Sequence, residues 1–200
     1  MTQVLPCSEA CERNKQPILT VLQSVLGRCA RIVEIGAGTG QHAVHFAGWL
    51  PHLEWLPTDR RDCLPGLAAR IASEGPPNLH APVELDVMQA AWPPIVADAV
   101  FSANTLHIMS WPAVEAFFRG VGGILAEGGL LVVYGPFRYA GRFTTDSNAA
   151  FDESLRRRDP ASGIRDFEAV NALAAGQGLE LEADHSMPAN NQLLVWRRRA

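Results

Sequence analysis

The chain has 200 residues, of which 48% are hydrophobic and 19% are charged, and its formal net charge is −4. This length and composition fit a single domain, 1–200, with a sizeable core, and the slight negative charge argues against nucleic acid as a partner. The sequence holds no apolar run of about 18 residues, and its first residues lack the layout of a signal peptide. We therefore expect no membrane partner and a cytoplasmic location, while the oligomeric state stays open.

The cysteine pattern indicates reduced thiols and no metal site. Four cysteines are scattered without a paired framework: Cys7, Cys11, Cys29 and Cys63. In a cytosolic chain of this size such cysteines are typically reduced. The Cys7–Cys11 spacing would suit half of a metal site, but no second pair accompanies it, so we expect no metal.

The N-terminal region, 1–29, is expected to form a cap over a ligand cleft. Residues 1–16 are polar and irregular, and Pro17 is predicted to open an amphipathic helix that runs to Leu26. A helix before the first strand can lie over a cleft, so polar residues just upstream, such as Asn14, are placed to reach a ligand. A solvated turn is the equal alternative for Asn14.

A glycine-rich turn follows the first predicted strand. The apolar run 30–33 is typical of a buried strand, and residues 41–50 are typical of a helix that stops at Pro51. Between them lie Gly36, Gly38 and Gly40, where a Cβ would block both a tight turn and the approach of a ligand to the backbone. A purely structural strand-to-helix turn is the alternative.

Two carboxylates indicate the kind of ligand. The second predicted strand, 53–58, ends at Asp59, about 20 residues past the glycines, where an acidic side chain typically accepts hydrogen bonds from ribose hydroxyls. Glu34 stands at the end of the first strand, where it would repel a pyrophosphate but suit a cationic amine. S-adenosylmethionine (SAM) has a ribose, an adenine and an ammonium group but no phosphate. The pattern therefore favours a SAM site over an NAD site.

Further polar residues follow the next two predicted strands. After a helix around 64–71, the run 79–85 is a less regular strand, because Pro82 cannot donate to a ladder. Asp86 at its tip can reach an adenine amino group or simply cap its own loop. The strand 97–103 leads to Asn104 and His107, and polar residues at the carboxyl end of a parallel strand face the ligand crevice. For His107 a structural role is the alternative.

The second half of the chain continues the alternation of strands and helices up to the strand 130–134, and the pattern then changes. Ser110 is predicted to cap a helix whose buried face extends to Leu125, and Gly128–Gly129 separate it from a buried strand, 130–134. The remaining segments are a polar, loop-like stretch with a short helix at 148–157, a helix capped by Asp166, strands 179–183 and 192–196, and a solvated tail, Arg197–Arg199. These predict an α/β fold with a doubly wound, mostly parallel sheet and a C-terminal antiparallel hairpin.

The motif Glu-x-Gly-x-Gly-x-Gly after the first strand, together with this fold, resembles the class I SAM-dependent methyltransferases. Short sequence segments along nearly the whole chain are similar to the methyltransferase-like 26 family. These segments lie at 12–19, 38–43, 147–152, 158–160, 163–166 and 187–191. Members of that family often have Ala-Ser where this chain has Gly36-Ala37. The resemblance implies SAM as the cofactor and S-adenosylhomocysteine as its product.

The cofactor-binding residues expected from the residues and the resemblance together span five segments. They are Asn14, Glu34, Gly36, Ala37, Gly38, Gly40, His42, Asp59, Arg60, Asp86, Val87, Asn104 and His107. His42 shares its helix with His45, and we expect one of the two to face the cofactor and the other to face solvent or core.

Methyl transfer needs an aligned acceptor, and it needs a general base only when the nucleophile starts out protonated. His107 is the first candidate for that base and Tyr134 the second. We expect an acceptor-site insertion at 137–165 and a small acceptor bearing a hydroxyl or carboxyl group, lined by polar segments at 138–142, 147–152, 158–159 and 190–191. Two alternatives stay open, a SAM-binding protein without transfer activity and an NAD-dependent oxidoreductase.

Overall fold

A computed structural model describes residues 5–199. Its main element is a seven-stranded sheet in the order β3-β2-β1-β4-β5-β10-β9. The strands of this sheet are β1 (Arg31–Ile35), β2 (Glu54–Asp59), β3 (Val83–Glu84), β4 (Ala97–Ala103), β5 (Leu125–Gly135), β9 (Leu179–Met187) and β10 (Asn191–Arg198). The first five strands of the order run parallel, and β10 pairs antiparallel with both β5 and β9. The predicted doubly wound sheet with a C-terminal antiparallel hairpin is confirmed.

Helices cover both faces of this sheet. They are α1 (Glu9–Val25), α2 (Gln41–Trp49), α3 (Leu64–Glu74), α4 (Trp111–Ile124), α5 (Asp146–Arg158) and α6 (Phe167–Gly176). Apolar residues of α1 and α2 form a core on one face, and those of α4 and α6 form a core on the other. Successive side chains of β5 pack alternately into the two cores, and this alternation places Tyr134 on the α1 side. Within residues 5–199, no helix is long and apolar enough to cross a membrane.

The first helix begins earlier than the sequence indicated. The prediction of an irregular segment up to residue 16 is wrong from Glu9 onward, and residues 1–4 lie outside the described part of the chain. The Ser8 side chain accepts a hydrogen bond from the Cys11 amide. The acidic residues of the first turn stabilise the helix further, because they lie at the positive end of its dipole. Because α1 begins at Glu9, both Asn14 and Pro17 lie inside the helix, and Asn14 is buried.

Two strand boundaries also differ from the prediction. The run 79–85 forms only the two-residue β3 and an isolated pairing of Leu79 with Trp55. Pro82 explains the interruption, since it has no amide hydrogen for the ladder. Leu125, expected on the buried face of α4, is instead the first residue of β5, whose pairing with β4 is irregular near Ala97.

The stretch after β5 is more regular than predicted. In place of a loop, β6 (Phe137–Tyr139) and β7 (Arg142–Phe143) form a small sheet with β8 (Arg165–Asp166), and Thr145 caps α5. The segment Arg197–Arg199 is largely exposed, as predicted, but most of it is strand rather than a tail. Arg197 and Arg198 belong to β10, and Arg197 donates to the Glu182 carboxylate through Nε and Nη2 and to the Gly128 carbonyl through Nη1.

Close backbone packing at Gly129 in β5 predicts that alanine there destabilises the protein, whereas alanine at the nearby Gly123 stabilises it. A Cβ at Gly129 would lie 2.8 Å from the Ala126 carbonyl oxygen and 2.9 Å from that of Asp98. We expect Gly129→Ala to lower the free energy of unfolding by about 1–3 kcal/mol, because backbone atoms must shift. The matched control, Gly123→Ala on the exposed face of α4, meets no atom within 4 Å and should raise it by about 0.5–1 kcal/mol. Urea unfolding measures both, and equal stabilities would contradict the prediction.

Candidate active site

The glycine-rich turn between β1 and α2 has a left-handed backbone at all three glycines. The φ angles of Gly36, Gly38 and Gly40 are 77°, 56° and 75°. A Cβ at Gly36 would lie 2.9 Å from Thr105, and one at Gly40 would lie 2.7 Å from Leu67, so these two glycines serve close packing. Gly38 has no such neighbour within 4 Å. Its backbone therefore faces open space that a ligand can fill.

The Asp59 carboxylate fixes the conformation of this turn through hydrogen bonds. One oxygen accepts a hydrogen bond from the Gly38 amide at 2.6 Å, and the other accepts one from the Arg60 amide at 2.7 Å. Asp59 is the last residue of β2 and is nearly buried. The predicted ribose acceptor thus also shapes the turn, whereas the exposed Arg60 side chain lies 3.4 Å from the Asp62 carboxylate.

Glu34 lies inside β1, since the strand continues to Ile35 rather than ending at residue 33. Its side chain is 2% exposed and accepts a hydrogen bond from the Trp55 indole at 2.8 Å. Burial, with a smaller contribution from the charge of Asp59, raises the pKa of Glu34 to about 7. Two carboxylates therefore lie behind an open glycine turn. Such a site disfavours a phosphate and fits a ligand that combines a cation with hydroxyl groups.

Three predicted site residues, Asn14, His42 and Tyr134, are buried on the α1 side of the sheet. The His42 Nε2 lies 2.7 Å from the Asn14 Oδ1, and the imidazole stacks on Phe46 at 5.1 Å between centroids. Burial lowers the pKa of His42 to about 4, so the neutral ring donates to Asn14. The neighbouring Asn14 and Asn191 side chains lower the pKa of Tyr134, but burial has the larger effect and raises it. A phenol with a raised pKa is poorly suited to be a general base.

The segment after β4 carries the other two candidates. Asn104 adopts a φ of 57° and its amide donates to the Tyr134 carbonyl at 2.9 Å. The His107 ring is 7% exposed and meets the Phe151 ring edge to face, with centroids 5.5 Å apart. Burial, aided by the charge of Arg165, lowers the pKa of His107 to about 4. At neutral pH this imidazole is therefore uncharged, and its lowered pKa makes it a weaker base than an exposed histidine.

The predicted adenine residues lie at the end of β3. Asp86 accepts a hydrogen bond from the Met88 amide at 2.9 Å, so it caps its own loop, which was the alternative role. Val87 packs into the core on the α4 side. A contact of either residue with adenine stays a prediction.

Two of the four predicted acceptor segments meet. The Asn148 side chain donates to the Asn190 carbonyl at 3.0 Å, and the Asn190 side chain donates to the Ser147 hydroxyl at 3.2 Å. Arg138 instead pairs with Asp166 at 2.5 Å, and residues 158–159 are exposed at the far end of α5. No role was predicted for Arg165, which is buried, because a single arginine in an irregular segment has no recognisable sequence signature.

One surface cleft, of about 760 Å³, lies away from this edge. It is at the amino-terminal ends of β4 and β5, where Asp98 and Arg197 line it. Asp98 already accepts hydrogen bonds from the amides of Ala30 and Arg31, and Arg197 pairs with Glu182. These two charged side chains are therefore engaged within the fold.

Residues 5–198 match the model of a family described as protein of unknown function, DUF938. Solved structures with a similar fold include an O-methyltransferase family protein from Burkholderia thailandensis, with 18% identity and a TM-score of 0.81, covering 96% of this chain and 58% of that one. Human N-acetylserotonin methyltransferase in complex with SAM has 16% identity and a TM-score of 0.80, covering 96% and 53%.

An O-methyltransferase family 2 protein from Planctomyces limnophilus in complex with apigenin is also similar, with 16% identity and a TM-score of 0.75, covering 92% of this chain and 61% of that one. This chain therefore spans little more than half the length of these proteins. At such identities the likeness establishes a shared fold.

The buried carboxylate predicts a pH-dependent stability. The pKa of Glu34 is about 7 in the folded protein against an ordinary 4.5, so its contribution is complete below pH 4.5 and is lost as the pH rises through 7. Glu34→Gln keeps an acceptor for the Trp55 indole but cannot ionise. We expect this variant to gain stability over the parent protein between pH 4.5 and 8, by up to about 3 kcal/mol.

Chemical denaturation across that pH range measures the difference, and the exposed Glu153→Gln serves as the matched control. A stability difference between Glu34→Gln and the parent protein that stays constant with pH would show that Glu34 is charged throughout.

Proposed function

Because the chain belongs to the DUF938 family and shares its fold with methyltransferases, we propose that it is a SAM-dependent methyltransferase acting on a small molecule. The observation that carries the proposal is the open glycine turn backed by two carboxylates, Glu34 and Asp59. The finer kinship with the methyltransferase-like 26 family is part of the same proposal and rests on the short sequence segments.

The proposed cofactor site uses both carboxylates. Glu34 favours the ammonium group, Asp59 accepts from the ribose hydroxyls, and the Gly38 backbone leaves room for the chain between them. Asp86, Val87 and Asn104 complete the site. When bound, SAM supplies a methyl group on a sulfonium, which an acceptor can take by in-line displacement. A pyrophosphate at the glycine turn would meet Glu34, so the same edge disfavours NAD.

The acceptor side favours an uncharged hydroxyl compound over a carboxylate. The groups around His107 and the 188–191 turn are neutral amides, a hydroxyl and an aromatic ring, while the nearby cations of Arg138 and Arg165 are engaged with Asp166 and with backbone carbonyls. The apigenin complex of a structural neighbour supports a small molecule with hydroxyl groups. His107 then accepts the hydroxyl proton, since its ring is unprotonated near neutral pH whereas the Tyr134 phenol keeps its proton.

Ligand-induced stabilisation tests the cofactor. SAM or S-adenosylhomocysteine should raise the melting temperature in a concentration-dependent way, equivalent to about 2.7 kcal/mol at 100 times the dissociation constant. NAD should give no shift. Differential scanning fluorimetry measures all three ligands, and a shift with NAD but none with SAM would overturn the assignment.

A matched pair of variants ties that shift to the site. Asp59→Asn keeps an acceptor for the Gly38 amide but removes the charge, so SAM affinity should fall by about 1–3 kcal/mol without loss of the fold. The exposed Asp62→Asn, three residues further on, should bind SAM like the parent protein.

A His107 variant tests the proton acceptor. Once a hydroxyl acceptor has been found by screening for S-adenosylhomocysteine release, His107→Gln should lower single-turnover rates by on the order of 10²–10⁴ and leave SAM affinity within a few fold. A base must be deprotonated, so the parent rate should rise with pH through about 4 and stay level near neutrality. An unchanged rate per folded molecule would leave alignment alone as the source of catalysis.

A further inference from the structure

Arg165 is a buried cation whose guanidinium contacts main chain only. It is 9% exposed, and it donates to the carbonyl oxygens of Leu106 at 3.0 Å, of Ala161 at 3.0 Å and of Met109. Leu106 and Met109 flank His107 in the irregular segment after β4. Without the guanidinium, these turn carbonyls would lose their side-chain donor inside the fold.

A second contact reaches the same segment from the same side. The Gly163 amide donates to the His107 carbonyl at 2.8 Å. Gly163 has a φ of 145°, and a Cβ there would lie 2.6 Å from the Arg156 guanidinium and 2.9 Å from the Asp152 carboxylate. The loop between α5 and β8 is therefore fitted closely against α5 at the point where it meets His107.

Asp152 anchors that loop to α5. One carboxylate oxygen accepts from the Ile164 amide at 2.6 Å, and the other accepts from the Arg156 side chain at 2.7 Å. The same helix places Phe151 against the His107 ring. His107 is thus held through its own carbonyl, through both flanking residues and through its ring, all from the segment 151–165.

From these contacts we propose that Arg165 is a positioning residue that fixes the His107 imidazole at the carboxyl end of β4. This inference rests on the proposed function for the role of His107, but the position of the ring can be measured without any ligand. The guanidinium fork suits the task, since it offers several donors in a fixed plane where an ammonium offers a single point charge.

Charge and geometry have to be separated in the test. The charge that acts on the His107 imidazole is that of Arg165, which in turn is influenced by Asp152 and Arg156 on α5, by Arg138 and by Asp159. Arg165→Gln removes both the charge and the fork, whereas Arg165→Lys keeps the charge and loses the fork. A role in positioning predicts that both variants disturb the ring, while a purely electrostatic role predicts that only Arg165→Gln does.

Imidazole ¹⁵N spectra of the unliganded protein provide the readout. The chain has six histidines, and the signals missing from His107→Gln identify those of His107. In the parent protein we expect one neutral tautomer that persists down to a pH of about 4, the pKa of His107. In both Arg165 variants we expect exchange between tautomers and a His107 pKa that moves toward the ordinary 6.5. Unchanged His107 signals in Arg165→Lys would overturn the proposal.

Two further variants keep the test decisive if Arg165→Gln does not fold. Gly163→Ala retains every charge but strains the loop at the amide that holds the His107 carbonyl, so it should also disturb the ring signals. Arg70→Lys is the matched control, because Arg70 is equally buried and donates to the carbonyls of Thr39 and Pro6 far from His107. It should leave the His107 signals in place. A Gly163→Ala spectrum identical to the parent would count against the proposal.

Turnover distinguishes this inference from the proposed function. With SAM and an acceptor found by screening, Arg165→Lys should lower the rate by on the order of 10²-fold, without changing the KM for SAM. If the parent protein binds no SAM, the proposed function fails, while the ¹⁵N spectra still decide whether Arg165 positions His107.

Discussion

The parallel register between β1 and β2 governs the carboxyl edge of the sheet. Ile35 pairs with Thr58, whose carbonyl then accepts hydrogen bonds from the amides of Gly36 and Ala37 at 3.0 and 3.1 Å. The next residue, Asp59, accepts from the Gly38 amide. A slip of one residue would turn Asp59 to the opposite face of the sheet and leave the glycine turn without its acceptor. The shape of the proposed cofactor site is thus a consequence of strand pairing.

Burial at this edge favours the neutral forms of its titratable side chains. It raises the pKa of Glu34 to about 7 and lowers those of His42 and His107 to about 4. Near neutral pH both imidazoles are therefore uncharged and Glu34 is partly protonated. A cation beside Glu34 would favour the ionised carboxylate, and a cation beside His107 would meet the charge of Arg165. The Glu34 side of the edge therefore favours a cation, and the His107 side disfavours one. This difference matches the proposed pairing of a cationic cofactor with a neutral acceptor.

The sequence was most informative where structure is local. A strand, a glycine turn, a helix and an acidic strand end occupy about 30 consecutive residues, so periodicity and spacing predicted them. The start of α1 was missed because Pro17 resembles a helix start, although Ser8 is the actual cap. Arg165 was missed because its partners at Leu106 and Met109 are 59 and 56 residues away in sequence. No pattern within a short window can report such contacts.

The same distinction separates the two halves of the proposed site. The glycines and carboxylates of the cofactor side lie in the single stretch from Glu34 to Asp59, whereas the acceptor side brings together α5, the segment after β4 and the turn before β10. Helix α5 joins these parts, since Asn148 binds the carbonyl of Asn190 and Asp152 anchors the loop that holds His107. A shift of α5 would therefore move both the 188–191 turn and the His107 segment. Acceptor geometry consequently depends on the docking of one helix, while the cofactor turn depends on the pairing of β1 with β2.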